Sequence, residues 1–85
     1  MELKETISGM TSANYKERFI AEYQQTNIRY QKLKHFCNTI EATNITGIDC
    51  PEHQCPLDLL REQQKIMGNY LHILEIRAII ENIVL

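Results

Sequence analysis

The sequence has no tryptophan, only two prolines and only three glycines among its 85 residues. Turn-forming residues this scarce argue against a β-sandwich and against a disordered tail. No apolar run approaches the roughly 18 residues of a membrane span, and residues 1–10 show no signal peptide pattern, so we expect no membrane association. The net charge of −2 argues against a general nucleic-acid binder.

Cysteine is also scarce, and the count of three is odd. Without an export signal, three cysteines are expected to be reduced thiols or metal ligands before disulfides. Cys50, His53 and Cys55 lie within six residues, and Cys37 or His35 on the preceding helix could complete a tetrahedral zinc site. The spacing is not one of the tight paired motifs, and Cys37 also fits an apolar stripe. We therefore predict no bound metal and no cofactor, with reduced thiols ahead of zinc or a disulfide.

Two long amphipathic patterns predict an all-α fold, an antiparallel two-helix hairpin over residues 13–85. Asn14 can cap a first helix at about residues 14–42, and the Glu17 side chain can accept from the Asn14 amide, as in a capping box. Periodicity is lost over the loop at residues 43–55. A second helix is predicted at about residues 56–84, with Pro56 suited to its first position. Residues 1–12 are expected to form a flexible arm.

The second helix carries more apolar surface than one partner helix can cover, especially from Ile73 to Leu85. Burial of apolar surface contributes roughly 25 cal/mol per Å², so leaving that surface exposed to water would lose several kcal/mol of stabilisation. A homo-oligomer is the simplest solution. The predicted interface residues are Ile73, Ile76, Ile80, Ile83 and Val84.

Gly68 interrupts this helix, where glycine costs about 1 kcal/mol relative to alanine. If the hairpin turns near Asp49, Gly68 faces Tyr30. One interpretation is that the missing side chain makes room for the tyrosine ring or a close helix crossing. The other is that it opens a cavity or lets a ligand approach the backbone.

No catalytic constellation is evident, because no nucleophile has an orienting base and no phosphate loop is present. A protein without enzymatic activity is therefore predicted. Cations beside tyrosines could instead bind a nucleotide, since guanidinium groups form bidentate hydrogen bonds with phosphates and aromatic rings stack on bases. The alternative is a solvated charged face beside core tyrosines. The candidate ligand contacts are Arg18, Arg29, Tyr30, Lys32, Tyr70 and Arg77.

Several segments together resemble a family of short phage and prophage proteins named after a reading frame of a crAss-like phage. These segments are Asn14-Tyr15-Lys16-Glu17-Arg18-Phe19, Tyr23, Ile28-Arg29-Tyr30, Lys32-Leu33, Cys55-Pro56-Leu57-Asp58-Leu59-Leu60-Arg61-Glu62-Gln63 and Met67-Gly68-Asn69-Tyr70-Leu71-His72-Ile73-Leu74-Glu75-Ile76-Arg77-Ala78. The resemblance covers Met10 to about Asn82. The nine residues before it and the segment from Cys50 to Gln54 depart from the family pattern.

The resemblance implies a phage accessory protein in the cytoplasm of the infected bacterium, with no settled activity. Phage proteins of this size are often counter-defence factors, and some helical hairpins sequester cyclic nucleotide or ADP-ribose-type immune signals as oligomers. We expect such a signal-binding oligomer first. A protein-protein inhibitor of a host defence enzyme, such as a CRISPR effector, and a structural or assembly protein of the phage are the alternatives.

Overall fold

The computed structural model describes residues 1–85 as an all-α protein without strands. A 3-10 turn (Leu3–Thr6) leads into a single-turn helix α1 (Ile7–Met10), followed by two long helices, α2 (Tyr15–Thr46) and α3 (Leu57–Ile80). The two long helices pack against each other as an antiparallel hairpin. The radius of gyration is 15.8 Å, against about 12 Å for a compact domain of this length. The molecule is therefore elongated and has little interior.

Helix α2 begins where the sequence predicted and ends four residues later than predicted. The side chain of Asn14 accepts from the amides of Lys16 and Glu17 at 2.9 and 3.3 Å. The predicted bond from the Asn14 amide to the Glu17 side chain is absent, since the Glu17 carboxylate accepts from the hydroxyl of Ser12 instead. At the other end, Gly47 adopts a left-handed conformation with φ of 74° and donates its amide to the carbonyl of Thr43. Glycine takes this conformation without strain, so it sets the end of the helix.

Helix α3 ends at Ile80, earlier than the predicted residue 84, because the chain reverses at Asn82. Asn82 has a φ of 57°, and the amide of Ile83 donates to the carbonyl of Ala78 at 2.8 Å. This is the Schellman pattern, in which the chain folds back and places an apolar side chain against the last turn. Ile83 is consequently only 7% exposed.

The main core lies at the end of the hairpin that holds both chain termini. We call it the Phe19 cluster: Phe19, Leu74, Ala78 and Ile83, all buried and in mutual contact. Farther along α2, Cys37 and Ile40 are also fully buried. Few other side chains are, because two helices can shield only the stripe that each presents to the other.

The N-terminal segment packs on α2 and makes no contact with α3. Thr6 is only 1% exposed, and its hydroxyl donates to the carbonyl of Leu3 at 2.7 Å. Gly9 lies so close to α2 that a Cβ added to it would stand 2.8 Å from the Cβ of Ala21. The segment predicted as a flexible arm thus contains two short helical turns and a specific contact of small residues.

None of the helices combines the length and the apolarity that a crossing of the bilayer would require.

Candidate functional site

The predicted ligand contacts do not gather at one place in the single chain. Arg77 is engaged within the molecule: its Nε lies 3.3 Å from a Glu81 carboxylate oxygen, and one of its terminal nitrogens donates to the hydroxyl of Tyr15 at 2.9 Å. Its guanidinium also lies 5.0 Å from the ring centroid of Phe19, within the range of a cation–π contact. Arg77 therefore helps to hold α3 on α2.

Tyr70 is one of three tyrosines whose hydroxyls donate across the hairpin to carboxylates, in its case to Glu22. Tyr15 donates to Glu81 at 2.8 Å and Tyr23 to Glu75 at 2.6 Å. We call these three bonds the tyrosine ladder: Tyr15 with Glu81, Tyr23 with Glu75 and Tyr70 with Glu22. They use up polar groups that the sequence alone would leave free for a ligand.

Each carboxylate acceptor favours the neutral phenol, so the pKa of each tyrosine is raised. The bond to Glu75, with some help from burial, raises the pKa of Tyr23 to about 12. The bonds to Glu81 and Glu22 likewise raise the pKa values of Tyr15 and Tyr70 above the ordinary value. All three tyrosines remain neutral donors at physiological pH.

The remaining cations of the predicted set lie on α2. Arg18 donates to the carbonyl of Ser12 at 2.8 Å and so fixes the entry into the helix. Arg29 and Lys32 are exposed and form no ion pair. Neither lines a groove of the single chain.

Tyr30 does line a groove, and it does so opposite Gly68 as the hairpin register predicted. We call this the Tyr30 groove: it has a volume of about 400 Å³ and is lined by Tyr30, Arg61, Gln64, Lys65, Gly68 and Asn69. A Cβ on Gly68 would stand 3.2 Å from Cε1 of Tyr30, closer than ordinary packing allows. The glycine therefore makes room for the ring, as the first interpretation of Gly68 proposed, and a groove is present at the same place.

The electrostatics of the Tyr30 groove favour an anion. Its lining holds two cations and no carboxylate. Arg61 is largely neutralised, since it lies 2.7 Å from Glu41 and also donates to Asn38 at 3.0 Å. Lys65 is exposed and forms no ion pair, so its charge is available to a ligand.

A second groove, between the N-terminal segment and α2, has the opposite character. Its volume is about 340 Å³, and Glu5 and Glu17 are the charged residues in its lining. An anionic ligand would be repelled there. The Tyr30 groove is therefore the better candidate for a phosphate-bearing molecule.

Sequence reasoning missed Arg61, Lys65 and Asn69 as groove residues. On a helix pattern they look like ordinary solvated side chains. The available signal was the pairing of Tyr30 with Gly68, because Lys65, one turn earlier, shares a face with Gly68, and Asn69 follows it directly in the chain. That signal places Lys65 and Asn69 beside the ring.

The cysteine loop holds no group of three or more His, Cys, Asp or Glu residues that could bind a metal. Cys50 and Cys55 are exposed, whereas Cys37 is buried. His53 is held by two other contacts, a 2.7 Å approach of Nδ1 to the carbonyl oxygen of Cys55 and an edge-on contact with the ring of Phe36. Cys37 lies in the helix interface, as expected for a small apolar residue.

The predicted oligomer interface divides into two parts. Ile83 is buried in the Phe19 cluster and is not available to another chain. Ile73, Ile76, Ile80 and Val84 are exposed, and Val84 is exposed to 89%. The apolar surplus is therefore real, but the early end of α3 removes one of its members.

Comparison with known protein families identifies a match over most of the chain, since the family model described as Sequestin matches residues 13–80. The chain belongs to the Sequestin family. No curated protein and no solved structure matches it. The matched residues include both long helices and the whole Tyr30 groove. The name of the Sequestin family is compatible with a sequestering role and suggests a binding protein rather than an enzyme.

Proposed function

We propose that this member of the Sequestin family binds and holds an anionic, nucleotide-type signal without converting it, and that the Tyr30 groove is the binding site. The observation that supports the proposal most directly is the composition of that groove. An aromatic ring, the unpaired cation of Lys65 and the amides of Gln64 and Asn69 lie together, with no carboxylate in the lining. Lysine and amide donors suit a phosphate, and a ring offers a surface on which a base can stack.

The groove is broadly open, so one hairpin alone leaves much of a nucleotide in water. Ligand sites usually bury most of their ligand. A homo-oligomer would supply the missing wall, and the exposed Arg29 and Lys32 are then proposed contacts from a neighbouring chain. Tyr70, Arg77 and Arg18 receive less support as ligand contacts, because each side chain is already held by at least one partner in the same chain.

The biological role that we propose is counter-defence by a phage accessory protein in the cytoplasm of an infected bacterium. The resemblance to phage and prophage proteins supports the origin, and the Sequestin name supports the act of sequestering. A sequestered immune signal, such as a cyclic nucleotide or an ADP-ribose cyclisation product, would fit the chemistry of the groove.

The test is a matched pair of lysine variants. Native mass spectrometry and calorimetry with cyclic di- and trinucleotides and ADP-ribose cyclisation products would first identify a ligand. Lys65→Gln should then weaken its binding roughly 10- to 100-fold, the loss of one charge-assisted bond. Lys16→Gln removes the same charge from an exposed position outside the groove that is not a proposed ligand contact, and it should change affinity less.

The outcomes separate the proposals clearly. Equal losses in both variants would indicate general electrostatic attraction rather than a site in the groove. A bound ligand should be recovered unchanged after heating, and its conversion would contradict the non-enzymatic proposal.

A second candidate function has its own support in the exposed apolar residues of α3. An amphipathic helix can dock in the groove of another protein, so this surface also suits an inhibitor of a host defence enzyme. No heat with any of the signals, together with recovery of a host enzyme in a pull-down, would favour that function.

A further inference from the structure

Four large apolar residues on α3 are exposed at intervals of seven: Leu59, Ile66, Ile73 and Ile80. We call them the α3 stripe. Each is between 53% and 73% exposed. Residues seven apart lie two turns apart on nearly the same side of a helix, so the four side chains form one line of about 32 Å along α3.

This spacing is the one by which a helix presents a continuous seam to another helix. Apolar residues that recur every seven positions keep facing a partner along its length. Tyr70 and Ile76 flank the stripe and are exposed to 40% and 45%. They widen the apolar surface in the second half of the helix.

No part of the same chain covers the α3 stripe. Helix α2 packs on a different side of α3, where Leu71, Leu74 and Ala78 are buried. The N-terminal segment contacts only α2. The stripe is thus left without a partner along its full length.

We propose that a second copy of this chain covers the α3 stripe, with the two α3 helices antiparallel. A large aliphatic side chain carries on the order of 100 Å² of apolar surface, so the stripe and its flanks expose several hundred Å², approaching the roughly 800 Å² that each partner buries in a stable complex. The same stripe on both copies is self-complementary, as a two-fold interface requires.

The charges beside the stripe determine the direction. If Ile66 of one copy meets Ile73 of the other, Leu59 meets Ile80 and Glu62 lies opposite Arg77. Arg77 can accept this contact because its side chain is 46% exposed and one terminal nitrogen has no partner. A parallel arrangement would instead bring each Glu62 next to its equivalent, which is unfavourable.

The proposal does not depend on what the Tyr30 groove binds. Asn69, which lines that groove, also lies between Ile66 and Ile73 on α3. The second copy would therefore run along the edge of the groove, but its presence can be measured without any ligand.

The first experiment measures the molar mass by light scattering and analytical ultracentrifugation at micromolar concentration. The wild type should be a dimer or a larger assembly of dimers. Ile73→Asp should raise the dissociation constant on the order of 10- to 100-fold. Ile79→Asp is the matched control, since Ile79 is 78% exposed on the same helix but lies outside the stripe; it should leave the mass unchanged. A monomeric wild type, or equal effects of the two variants with helicity retained, would overturn the proposal.

The second experiment tests the direction by cross-linking in a background with Cys50→Ser and Cys55→Ser, which removes the exposed thiols. An equimolar mixture of Ile66→Cys and Ile73→Cys chains should form a disulfide between unlike chains. Each variant alone should not, because the antiparallel pairing separates like positions by about 10 Å along the axis, beyond the roughly 7 Å limit between Cα atoms. Cross-links between like chains, or none in the mixture, would overturn the antiparallel pairing.

Discussion

The end of the hairpin that holds the chain termini and its middle, where the Tyr30 groove lies, are built from the same kinds of residue but use them differently. At the end with the chain termini, tyrosines and Arg77 are bonded to carboxylates above the buried Phe19 cluster. In the Tyr30 groove, a tyrosine lies against a glycine and Lys65 has no acidic partner. The first end thus holds the helices together, and the groove retains unsatisfied binding capacity. Residue type alone does not separate the two roles, whereas pairing across the hairpin does.

The largest expected effect is at the Phe19 cluster. Leu74 is fully buried, so Leu74→Ala should lower the free energy of unfolding by about 2 to 5 kcal/mol through lost burial and a residual cavity. Ile79→Ala, at an exposed position of the same helix, should change it by less than about 0.5 kcal/mol. Urea unfolding followed by circular dichroism measures both. A loss below about 1 kcal/mol for Leu74→Ala would mean that this end is not the stability centre.

A smaller loss is expected where the N-terminal segment meets α2. Gly9→Ala would place a Cβ 2.8 Å from that of Ala21, and neither group can rotate away. The segment should separate from α2 at a cost of roughly 1 to 3 kcal/mol. Hydrogen exchange at the amides of residues 3–10 should accelerate while α3 keeps its protection. Unchanged exchange would show that the contact does not hold the segment.

Gly68→Ala should separate stability from binding. Alanine favours a helix over glycine by about 1 kcal/mol, and this gain offsets the displacement of the Tyr30 ring, whose Cε1 lies 3.2 Å from the new Cβ. We expect a net change within about 1 kcal/mol by urea unfolding, together with weaker binding of whichever signal the groove takes. Strong destabilisation would instead identify the Tyr30 contact as part of the core.

The smallest effect is a pH dependence of the tyrosine ladder. The neutral Tyr23 hydroxyl is the donor, and its pKa is about 12 in the folded chain, against 10.0 ordinarily. Its contribution is therefore complete below pH 10 and is lost as the pH rises from 10 to 12. Between pH 10 and 12 the free energy of unfolding should fall less for Tyr23→Phe than for the wild type. The difference should be under about 1 kcal/mol, because the bond is exposed. An identical pH dependence in the two proteins would show that this bond does not contribute to stability.

Much of the fold could be predicted because it depends on local signals. Asn14 caps α2 as the sequence indicated, and the all-α class and the two long helices follow from apolar periodicity. Even the contact between Tyr30 and Gly68 follows from the position of the turn. These features need only neighbouring residues and an approximate hairpin register.

The remaining features depend on contacts that a pattern does not contain. The reversal at Asn82 turned Ile83 from a surface residue into a core residue. Likewise, whether a cation is free depends on the acid that lies beside it: Arg77 has Glu81 and Arg61 has Glu41, but Lys65 has none. Such distinctions require side-chain positions across the hairpin.

The tyrosine ladder has one more consequence, which concerns alignment. Apolar contacts between two helices tolerate sliding, because they have no direction. Hydrogen bonds do have direction, and here one runs from α2 to α3, one from α2 to Glu81 directly after α3, and one from α3 to α2. A slip of one helix by a single turn, about 5.4 Å, would break all three at once. The ladder therefore fixes the register of the two helices, and this register places Tyr30 opposite Gly68, the one glycine of α3.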